Sequence, residues 1–497
     1  MMMRPNFADL YFGKSDSVHE ALERRDEFMR SYVDLDGAVG QVVSGEKTLI
    51  LGPKGTGKSA LGVYIEKGSG EVHFARMRNA SSLPLAEIPQ LDTGQDPGAA
   101  RTYNAWKFIL LASYLDVALT DSSVQVPSLR EIRRVVRTLR DAGFIGDGSG
   151  QVLLGVSKAS YSLETAQMGA LFRNEGGRPL NIFTLTPHLE KWAKSLRSKR
   201  RHILLLDGLD SIFLNDSRYD ESISALVQAA HDLNLGFKQH SATGTIVLLL
   251  RNDIFSRVSS RLPDAHKMRD FAYDLDWRIL SGAAGESAPL VRLINRKAGQ
   301  ERGGEIDFLS YFPRRIELGR SRRGRRTTPR LKYLLNLTRH TPRDMLQLLE
   351  YIRRVEEAQG RPSGGSTIAD RVVREGVLQY STKYFVDAVR GEFAGYEGGP
   401  SETEAALRAL KLMEGSKFTR TDFRAAIARD TPGLEAKSDS LLKLFFYAGA
   451  VGNLFDNGGE RYMVFYHRRD DVDLKTQGSL VLHNALTHAW SRKFGLR

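Results

Sequence analysis

The sequence predicts an α/β fold with a parallel sheet, followed by a mostly helical region and a small C-terminal unit. Short apolar runs alternate with helical patterns over residues 48–285, an order typical of parallel strands that are connected by helices. A glycine-rich octet lies between the first apolar run and the next helical pattern, and a later apolar run ends in two carboxylates.

The strands of this core are predicted from short runs rich in leucine and β-branched residues. They cover residues 48–51, 72–77, 202–206, 245–250 and 271–275. Helical periodicity and helix-stop residues predict helices over 17–32, 58–67, 103–119, 128–142, 186–197 and 219–233. We therefore expect an N-terminal segment at 1–47 and a core at 48–285. The core includes a helical insertion at 80–180, with a glycine-rich turn or hairpin at 146–155.

The second half is predicted to be a helical lid followed by a winged-helix-like domain. The lid spans 286–395 and contains a basic Arg/Gly stretch at 319–330, which we expect to be a mobile surface loop. Gly/Pro-rich linkers are predicted at 362–366 and 391–400. The domain at 396–497 has three helical patterns followed by two strands around a turn signal, an order typical of a winged helix. These elements cover 404–413, 421–428, 438–447, 451–454 and 462–466.

The amino-acid composition limits the possible kinds of site and of binding partner. The 497 residues favour two or three domains, and the absence of cysteine excludes disulfides, thiolate metal sites and a catalytic thiol. No apolar run reaches the ~18–20 residues that span a bilayer, so we expect a cytoplasmic protein without a membrane partner. The net charge of +13 favours acidic partners, nucleic acid first. Much of it is local, since residues 292–332 hold 13 Lys plus Arg against 4 Asp plus Glu.

The glycine-rich octet at 52–59 matches the pattern G-x-x-x-x-G-K-[ST]. Glycines let main-chain N–H groups curl around phosphates, and the helix that follows directs its positive end at the anion. We predict that Lys58 reaches the β- and γ-phosphates and acts in catalysis, and that the Ser59 hydroxyl ligates Mg²⁺. The predicted ATP-binding residues are Gly52, Pro53, Lys54, Gly55, Thr56, Gly57, Lys58, Ser59 and Ala60.

The apolar run at 202–206 ends in Asp207-Gly208-Leu209-Asp210. Asp207 is predicted to hold Mg²⁺ through water. Asp210 is a candidate catalytic residue that orients or deprotonates the attacking water. The alternative for Asp210 is a cap on the turn that follows it.

Seven segments spread over nearly the whole chain form a recognisable set: 11–16, 55–60, 248–255, 333–335, 341–344, 449–453 and 481–486. In these segments the chain is similar to a family of bacterial P-loop ATPases. These are related to AAA+ proteins and to the signal-transduction ATPases with numerous domains (STAND). Asp-Gly-Leu-Asp at 207–210 resembles the STAND form more than the Asp-Glu of many AAA+ proteins. The resemblance implies ATP binding and an AAA+-like architecture, and some members lie near defence or mobile-element genes.

The resemblance also implies roles for polar residues outside the octet. Arg251 or Asn252, after the strand at 245–250, would sense the γ-phosphate, with a strand-end cap as the alternative. Thr341-Pro342-Arg343-Asp344 resembles the sensor-2 helix of AAA+ lids, so Arg343 is a candidate catalytic contact to the γ-phosphate; a surface arginine is the alternative. An arginine finger for a neighbouring subunit would come from one of Arg257, Arg261 and Arg269.

The leading hypothesis is an ATPase whose nucleotide state switches a conformation or an assembly on or near DNA. The winged-helix-like end, the arginines at 130–140 and the basic run at 314–332 favour DNA. Against it, residues 396–497 are nearly neutral, with 15 Lys plus Arg and 13 Asp plus Glu. One alternative is a DNA-binding regulator or scaffold with structural nucleotide. Another is a small-molecule or nucleoside kinase, for which no acceptor signature is visible. Homo-oligomers or partner proteins stay open.

Overall fold

The structure, a computed structural model, forms two compact units. One comprises residues 34–275, and the other comprises 1–33 together with 276–497. Among the described residues, no helix has the length and apolar character needed to cross a membrane. The residues that the structure describes are 4–80, 99–141, 144–145, 182–209, 219–262, 264–278, 285–321, 324–360, 367–393, 396, 398–457, 460–468, 472–475 and 477–491.

The N-terminal segment contains two helices, α1 (Ser17–Glu23) and α2 (Arg25–Ser31), so the prediction of one helix over 17–32 is wrong. Arg24 separates them with a non-helical backbone, φ −136° and ψ 60°. Its side chain lies over the ring of Tyr11 at 4.6 Å and pairs with Glu301 at 3.3 Å. Contacts distant in the chain therefore override the local helical pattern here.

The unit at 34–275 contains a five-stranded parallel sheet in the order β2-β3-β4-β1-β5. The α/β prediction is confirmed. The strands are β1 (Leu49–Leu51), β2 (His73–Asn79), β3 (Arg201–Asp207), β4 (Gly244–Leu250) and β5 (Ala272–Asp274). The helices are α3 (Ala38–Val43), α4 (Lys58–Lys67), α5 (Ala99–Leu119), α6 (Leu129–Asp141), α7 (Ile182–Ser195), α8 (Tyr219–Gln239), α9 (Asn252–Ser259) and α10 (Ala265–Asp270).

The first helix of the predicted insertion, α5, belongs to the hydrophobic core of the sheet. Trp106, Leu110 and Tyr114 are fully buried in the same cluster as the leucines of β3 and β4. Asp116 on this helix is also buried and is neutralised by Arg78 at 2.6 Å and by Arg140. The predicted glycine-rich turn at 146–155 and the linker at 362–366 lie outside the described residues.

Helices and one hairpin make up residues 285–393 of the other unit. A π-helical turn, Ser381–Phe385, joins α14 to α15 in one continuous helix. The elements are α11 (Pro289–Gly299), β6 (Arg315–Ser321), β7 (Gly324–Pro329), α12 (Arg330–Leu335), α13 (Pro342–Ala358), α14 (Asp370–Tyr380) and α15 (Val386–Arg390).

The prediction of a mobile loop at 319–330 is wrong, because β6 and β7 form an antiparallel hairpin. Ile316 and Thr328 are opposite one another and buried, which anchors the base of the hairpin. Arg330 donates to the carbonyl oxygen of Phe312 at 3.3 Å. The sequence pattern misleads here because arginine and glycine are typical of loops, whereas a few buried base residues decide the pairing.

The C-terminal part follows the predicted order of three helices and then a hairpin, with two further strands. These strands, β8 and β11, extend the hairpin into a four-stranded antiparallel sheet in the order β10-β9-β11-β8. The winged-helix assignment and the domain boundaries stay predictions. The elements are α16 (Gly399–Leu412), β8 (Lys417–Thr419), α17 (Arg420–Asp430), α18 (Ser438–Tyr447), β9 (Val451–Asn457), β10 (Glu460–Val464), β11 (Ser479–Leu482) and α19 (Asn484–Ala489).

Candidate functional site

The carboxyl ends of the five parallel strands form one edge of the sheet, where ligands of open α/β sheets bind. The glycine-rich octet follows β1 and leads directly into α4. Because β4 lies between β1 and β3, the residues after β4 lie between the octet and the acidic end of β3. The edge therefore presents, in order, Asn79, Asp207, Asn252 and the octet.

The octet has the backbone that a phosphate-binding loop requires. Gly55 and Gly57 have φ of +86° and +94°, the left-handed region that glycine adopts at little cost. Thr56 closes the turn, since its hydroxyl donates to the carbonyl oxygen of Pro53 at 2.9 Å. A Cβ on Gly52 would lie 2.5 Å from the Thr56 hydroxyl oxygen, so a larger residue there would force the loop open.

Lys58 and Ser59 are the first two residues of α4. The Lys58 side chain is buried, and its Nζ donates to the carbonyl oxygens of Gly52 (2.9 Å) and Pro53 (3.2 Å). These contacts fix an ammonium group beside the loop, at the positive end of a helix dipole. The position combines two sources of positive potential where a triphosphate would lie.

Gly62, which the sequence reasoning missed, brings α4 close to the sheet. A Cβ at this position would lie 2.7 Å from the sulfur of Met77 and 3.2 Å from Leu249. The glycine therefore fixes the helix, and with it the loop, close to the sheet surface. A glycine in the middle of a predicted helix is the signal that points to such a close approach.

Asp207 ends β3, as predicted, and its carboxylate accepts from the backbone N–H of Gly208 at 2.8 Å. Gly208 has φ +76°, and a Cβ there would lie 2.5 Å from the Oδ1 of Asn79. Asn79 is opposite Asp207 in the register of β2 and β3. The sequence reasoning missed Asn79, although a polar residue at a strand end was the signal. Asp210 lies outside the described residues.

Arg251 and Asn252, the two candidate γ-phosphate sensors after β4, differ in their contacts. The Arg251 guanidinium donates to both carboxylate oxygens of Asp253, at 2.9 and 2.8 Å, which closes the start of α9. The Oδ1 of Asn252 is buried and accepts no hydrogen bond from the described residues. A phosphate oxygen is itself an acceptor, so a contact to a γ-phosphate would come from the side-chain N–H group of Asn252 and not from this Oδ1. The sensor role stays a prediction for both Arg251 and Asn252.

The three arginine-finger candidates also differ. Arg257 pairs with Asp220 at 2.7 Å, and Arg269 lies 3.5 Å from the carboxylate of Asp274. The Arg261 guanidinium has no hydrogen bond or ion pair with the described residues. A finger contact to a neighbouring subunit stays a prediction for each of them.

Arg343 lies in the other unit, within the first turn of α13. Thr341 caps that helix by accepting from the backbone N–H of Asp344 at 3.3 Å. Asp344 is fully buried and accepts from the Arg339 guanidinium at 2.8 and 2.9 Å and from the Tyr384 hydroxyl at 2.9 Å. Although burial alone would raise it, the adjacent Arg339 guanidinium lowers the pKa of Asp344.

Three histidine rings pack near this ion pair. The centroids of His340 and His467 are 5.6 Å apart, and those of His467 and His483 are 5.5 Å apart. Burial, reinforced by the charge of Arg468, lowers the pKa of His340 and of His483 to about 3, and it lowers the pKa of His467 as well. All three rings are therefore neutral at physiological pH. Their proximity has no counterpart in any local sequence pattern.

No protein-family model and no curated protein matches the chain. Among solved structures, ORC2 of Aeropyrum pernix, in ADPNP–ADP complexes, is similar with 11% identity and a TM-score of 0.35, covering 99% of this chain and 98% of ORC2. RuvB of Thermotoga maritima, a Holliday junction branch migration motor, is similar with 12% identity and a TM-score of 0.30, covering 88% of this chain and 96% of RuvB. Likeness at these TM-scores decides neither fold nor function.

Proposed function

We propose that the chain binds ATP with Mg²⁺ at residues 52–60 and hydrolyses it, and that the bound nucleotide switches its conformation or assembly. The observation that carries this proposal is the loop between β1 and α4, with the buried Lys58 ammonium beside it and Asp207 on the same sheet edge. A relation to AAA+ and STAND ATPases, a C-terminal winged helix and a cytoplasmic location belong to the same proposal.

The main chain and the side chains of the loop contact different parts of the nucleotide in this proposal. The main-chain N–H groups of 55–59 donate to phosphate oxygens, and Lys58 neutralises charge on the β- and γ-phosphates. Ser59 and Asp207 would hold Mg²⁺, directly and through water, since both are oxygen ligands of the kind that this ion prefers. When bound, Mg²⁺ supplies charge neutralisation at the β- and γ-phosphate oxygens.

Hydrolysis requires water to attack the γ-phosphorus while the bond to the β–γ bridging oxygen breaks, which gives ADP and phosphate. Asp210 orients this water and accepts its proton. The side-chain N–H group of Asn252, which lies between the loop and Asp207 in strand order, donates to a γ-phosphate oxygen. Arg343 is the proposed second sensor.

Replacement of Lys58 by alanine tests binding. Charge-assisted hydrogen bonds contribute about 1.5–3 kcal/mol, so Lys58→Ala should weaken ATP binding roughly ten- to hundredfold. Lys67→Ala is the matched control, because it removes the same charge from the far end of α4. Titration of both variants with a fluorescent ATP analogue measures the effect. Near-normal affinity in Lys58→Ala would contradict the assignment.

Turnover is tested separately. Asp210→Asn and Asn252→Ala should retain ATP binding and lower phosphate release by at least tenfold, about 1.4 kcal/mol of transition-state stabilisation. If the wild-type chain binds ATP but releases no phosphate above background, alone or with DNA, the structural-nucleotide alternative is favoured.

That alternative, a DNA-binding regulator or scaffold, is favoured by helix α6. Its buried face is apolar, and four arginines on the opposite face are exposed and form no ion pair with the described residues. Unneutralised arginines at helical spacing suit a phosphate backbone. The four arginines are Arg130, Arg133, Arg134 and Arg137. Their joint replacement by glutamine should flatten the salt dependence of duplex binding.

A further inference from the structure

The hairpin β6–β7 carries a high density of positive charge on a regular scaffold. Residues 314–330 contain 8 arginines and 1 glutamate, a net charge of +7, and no aromatic residue. Among the described residues, the two strands pair with each other and with no third strand. The hairpin is therefore a separate two-stranded ribbon, an arrangement that is marginally stable unless its base is anchored.

Its base is held by side-chain contacts between the two strands and by a hydrogen bond from α14 to β6. Arg315 donates to the Thr327 hydroxyl at 2.7 Å and to the Thr327 carbonyl oxygen at 3.1 Å. Arg374 of α14 donates to the carbonyl oxygen of Glu317 at 3.2 Å. The ladder then continues beyond an irregularity after Glu317, where Leu318 is 48% exposed. The contacts to the rest of the unit thus hold the base, while the ladder extends past it.

In the part of the hairpin beyond Glu317, arginines lie close to one another. Arg320 and Arg325 occupy directly opposite positions of the ladder, a juxtaposition that destabilises an antiparallel pair by roughly 0.2–1 kcal/mol. Arg325 and Arg326 are exposed, and the nearest described carboxylate, that of Glu317, is 4.0 Å from Arg325. Eight arginines against the single carboxylate of Glu317 leave an excess of positive charge in residues 314–330, which is suited to an external polyanion.

We propose that this hairpin binds double-stranded DNA by laying its arginines along the phosphate backbone at a groove. A two-stranded ribbon fits the major groove, and guanidinium groups bind phosphates in a bidentate manner. Single-stranded nucleic acid is disfavoured, because its binding sites use aromatic side chains to stack bases and the hairpin has none. Binding is expected to be independent of base sequence, as phosphate contacts are.

This inference deepens the proposed association with nucleic acid and rests on it. The test uses the full chain, a short fluorescein-labelled duplex and fluorescence anisotropy over a salt series. Each lost phosphate contact lowers the slope of log affinity against log salt by roughly 0.9. The double variant Arg325→Gln/Arg326→Gln should therefore lose about 2 from the slope and bind roughly tenfold more weakly per arginine at about 0.1 M salt.

The control removes the same net charge elsewhere in the same unit. Arg390 and Arg408 are exposed but paired, Arg390 with Asp387 and Glu404, and Arg408 with Asp430. The variant Arg390→Gln/Arg408→Gln should keep the wild-type slope. Arg325→Lys/Arg326→Lys should keep most of the slope, which separates loss of charge from loss of the hairpin fold.

Several outcomes would overturn the inference. An unchanged slope in the hairpin glutamine variant, or an equal loss in the control, would exclude a hairpin contact while leaving an association through α6 in place. If a single-stranded oligonucleotide or polyglutamate bound more tightly than the duplex, double-stranded DNA would not be the preferred partner of the hairpin. Failure of the wild type to bind any duplex would overturn both the inference and the association. ATP turnover measured without DNA should be equal in all variants.

Discussion

Replacing Asp344 with alanine should destabilise helix α13 by about 3 kcal/mol, because the change leaves a buried guanidinium without its main partner. Asp344 is fully buried and accepts from Arg339 through its backbone N–H at 3.0 Å and through its guanidinium at 2.8 and 2.9 Å. Tyr384 adds a fourth hydrogen bond at 2.9 Å. Disruption of a buried ion pair costs about 3–5 kcal/mol.

The expected value lies at the lower end of that range because Arg339 keeps a second partner. Glu392 accepts from the same guanidinium at 3.0 Å and is itself largely buried. The Tyr384 hydroxyl, which lies on the π-helical turn, loses the carboxylate that accepts its hydrogen bond when Asp344 is removed. The net effect is a local opening of the start of α13, where Arg343 lies.

Native-state hydrogen exchange of the full chain is the suitable assay. A loss of about 3 kcal/mol accelerates exchange by roughly a hundredfold in peptides of α13, whereas peptides of β3 in the other unit serve as an internal reference. Asp370→Ala is the matched control. It removes an exposed carboxylate that pairs with Arg374 at 2.9 Å, and exposed pairs contribute about 1 kcal/mol or less.

A double-mutant cycle decides whether the ion pair causes the effect. Arg339→Met/Asp344→Leu replaces both charges with apolar side chains and should be less destabilised than the sum of Arg339→Met and Asp344→Leu measured singly, because neither charge is then left without the other. Equal exchange rates in Asp344→Ala and Asp370→Ala would refute the reasoning. So would a double variant whose destabilisation is the sum of the two single ones.

Two further predictions follow from backbone strain and from burial. Gly208→Ala should lower the free energy of unfolding by about 0.5–1.5 kcal/mol more than Gly37→Ala, because the exposed Asn79 side chain must leave its rotamer to make room. Both glycines have similar positive φ, +76° and +72°, but of the two only Gly208 would bring an added Cβ within 4 Å of a side chain. Equal losses on urea denaturation would contradict that contact. Burial lowers the pKa of His340 and of His483 from 6.5 to about 3. As the pH falls below 6.5, these rings therefore bind protons in the unfolded chain before they do so in the folded chain. Stability should therefore be full above pH 6.5 and fall on acidification toward pH 3, by up to about 1.4 kcal/mol per pH unit for each ring; a melting temperature that does not change over this window would contradict it.

The core of the fold could be predicted because its signals are local. The octet at 52–59 supplies its own turn and helix start, and the observed bounds of α4, Lys58–Lys67, are the predicted ones. The strands β3 and β4 are apolar and nearly fully buried, so their composition alone identifies them as buried strands. Each of these elements carries its whole signal within ten residues or fewer.

The elements that sequence reasoning missed depend on distant contacts. The break between α1 and α2 is accompanied by contacts of Arg24 with Tyr11 and Glu301. The hairpin depends on burial of Ile316 opposite Thr328, which an arginine-rich sequence does not show. Local patterns predict neither case, because the residues that decide the structure are not adjacent in the chain.

In the candidate site, too, some features have a local sequence signal and others depend on residues that are distant in the chain. Sequence motifs identify the loop and Asp207, since each follows an apolar run. They do not reveal that β4 lies between β1 and β3, and this strand order is what places Asn252 beside the loop and Asn79 beside Asp207. Polar residues at strand ends gain meaning only when the neighbours of each strand are known.

The motif at 341–344 can be divided by the same logic into structural and functional positions. Thr341 caps α13, Pro342 occupies its first turn, and Asp344 neutralises Arg339, so three of the four positions are explained by local stability. The Arg343 guanidinium forms no hydrogen bond or ion pair with the described residues. Arg343→Ala should therefore leave hydrogen exchange of α13 unchanged and lower ATP turnover by at least tenfold, about 1.4 kcal/mol. Unchanged turnover would reduce the whole motif to a helix start, because nothing else in it would require a nucleotide.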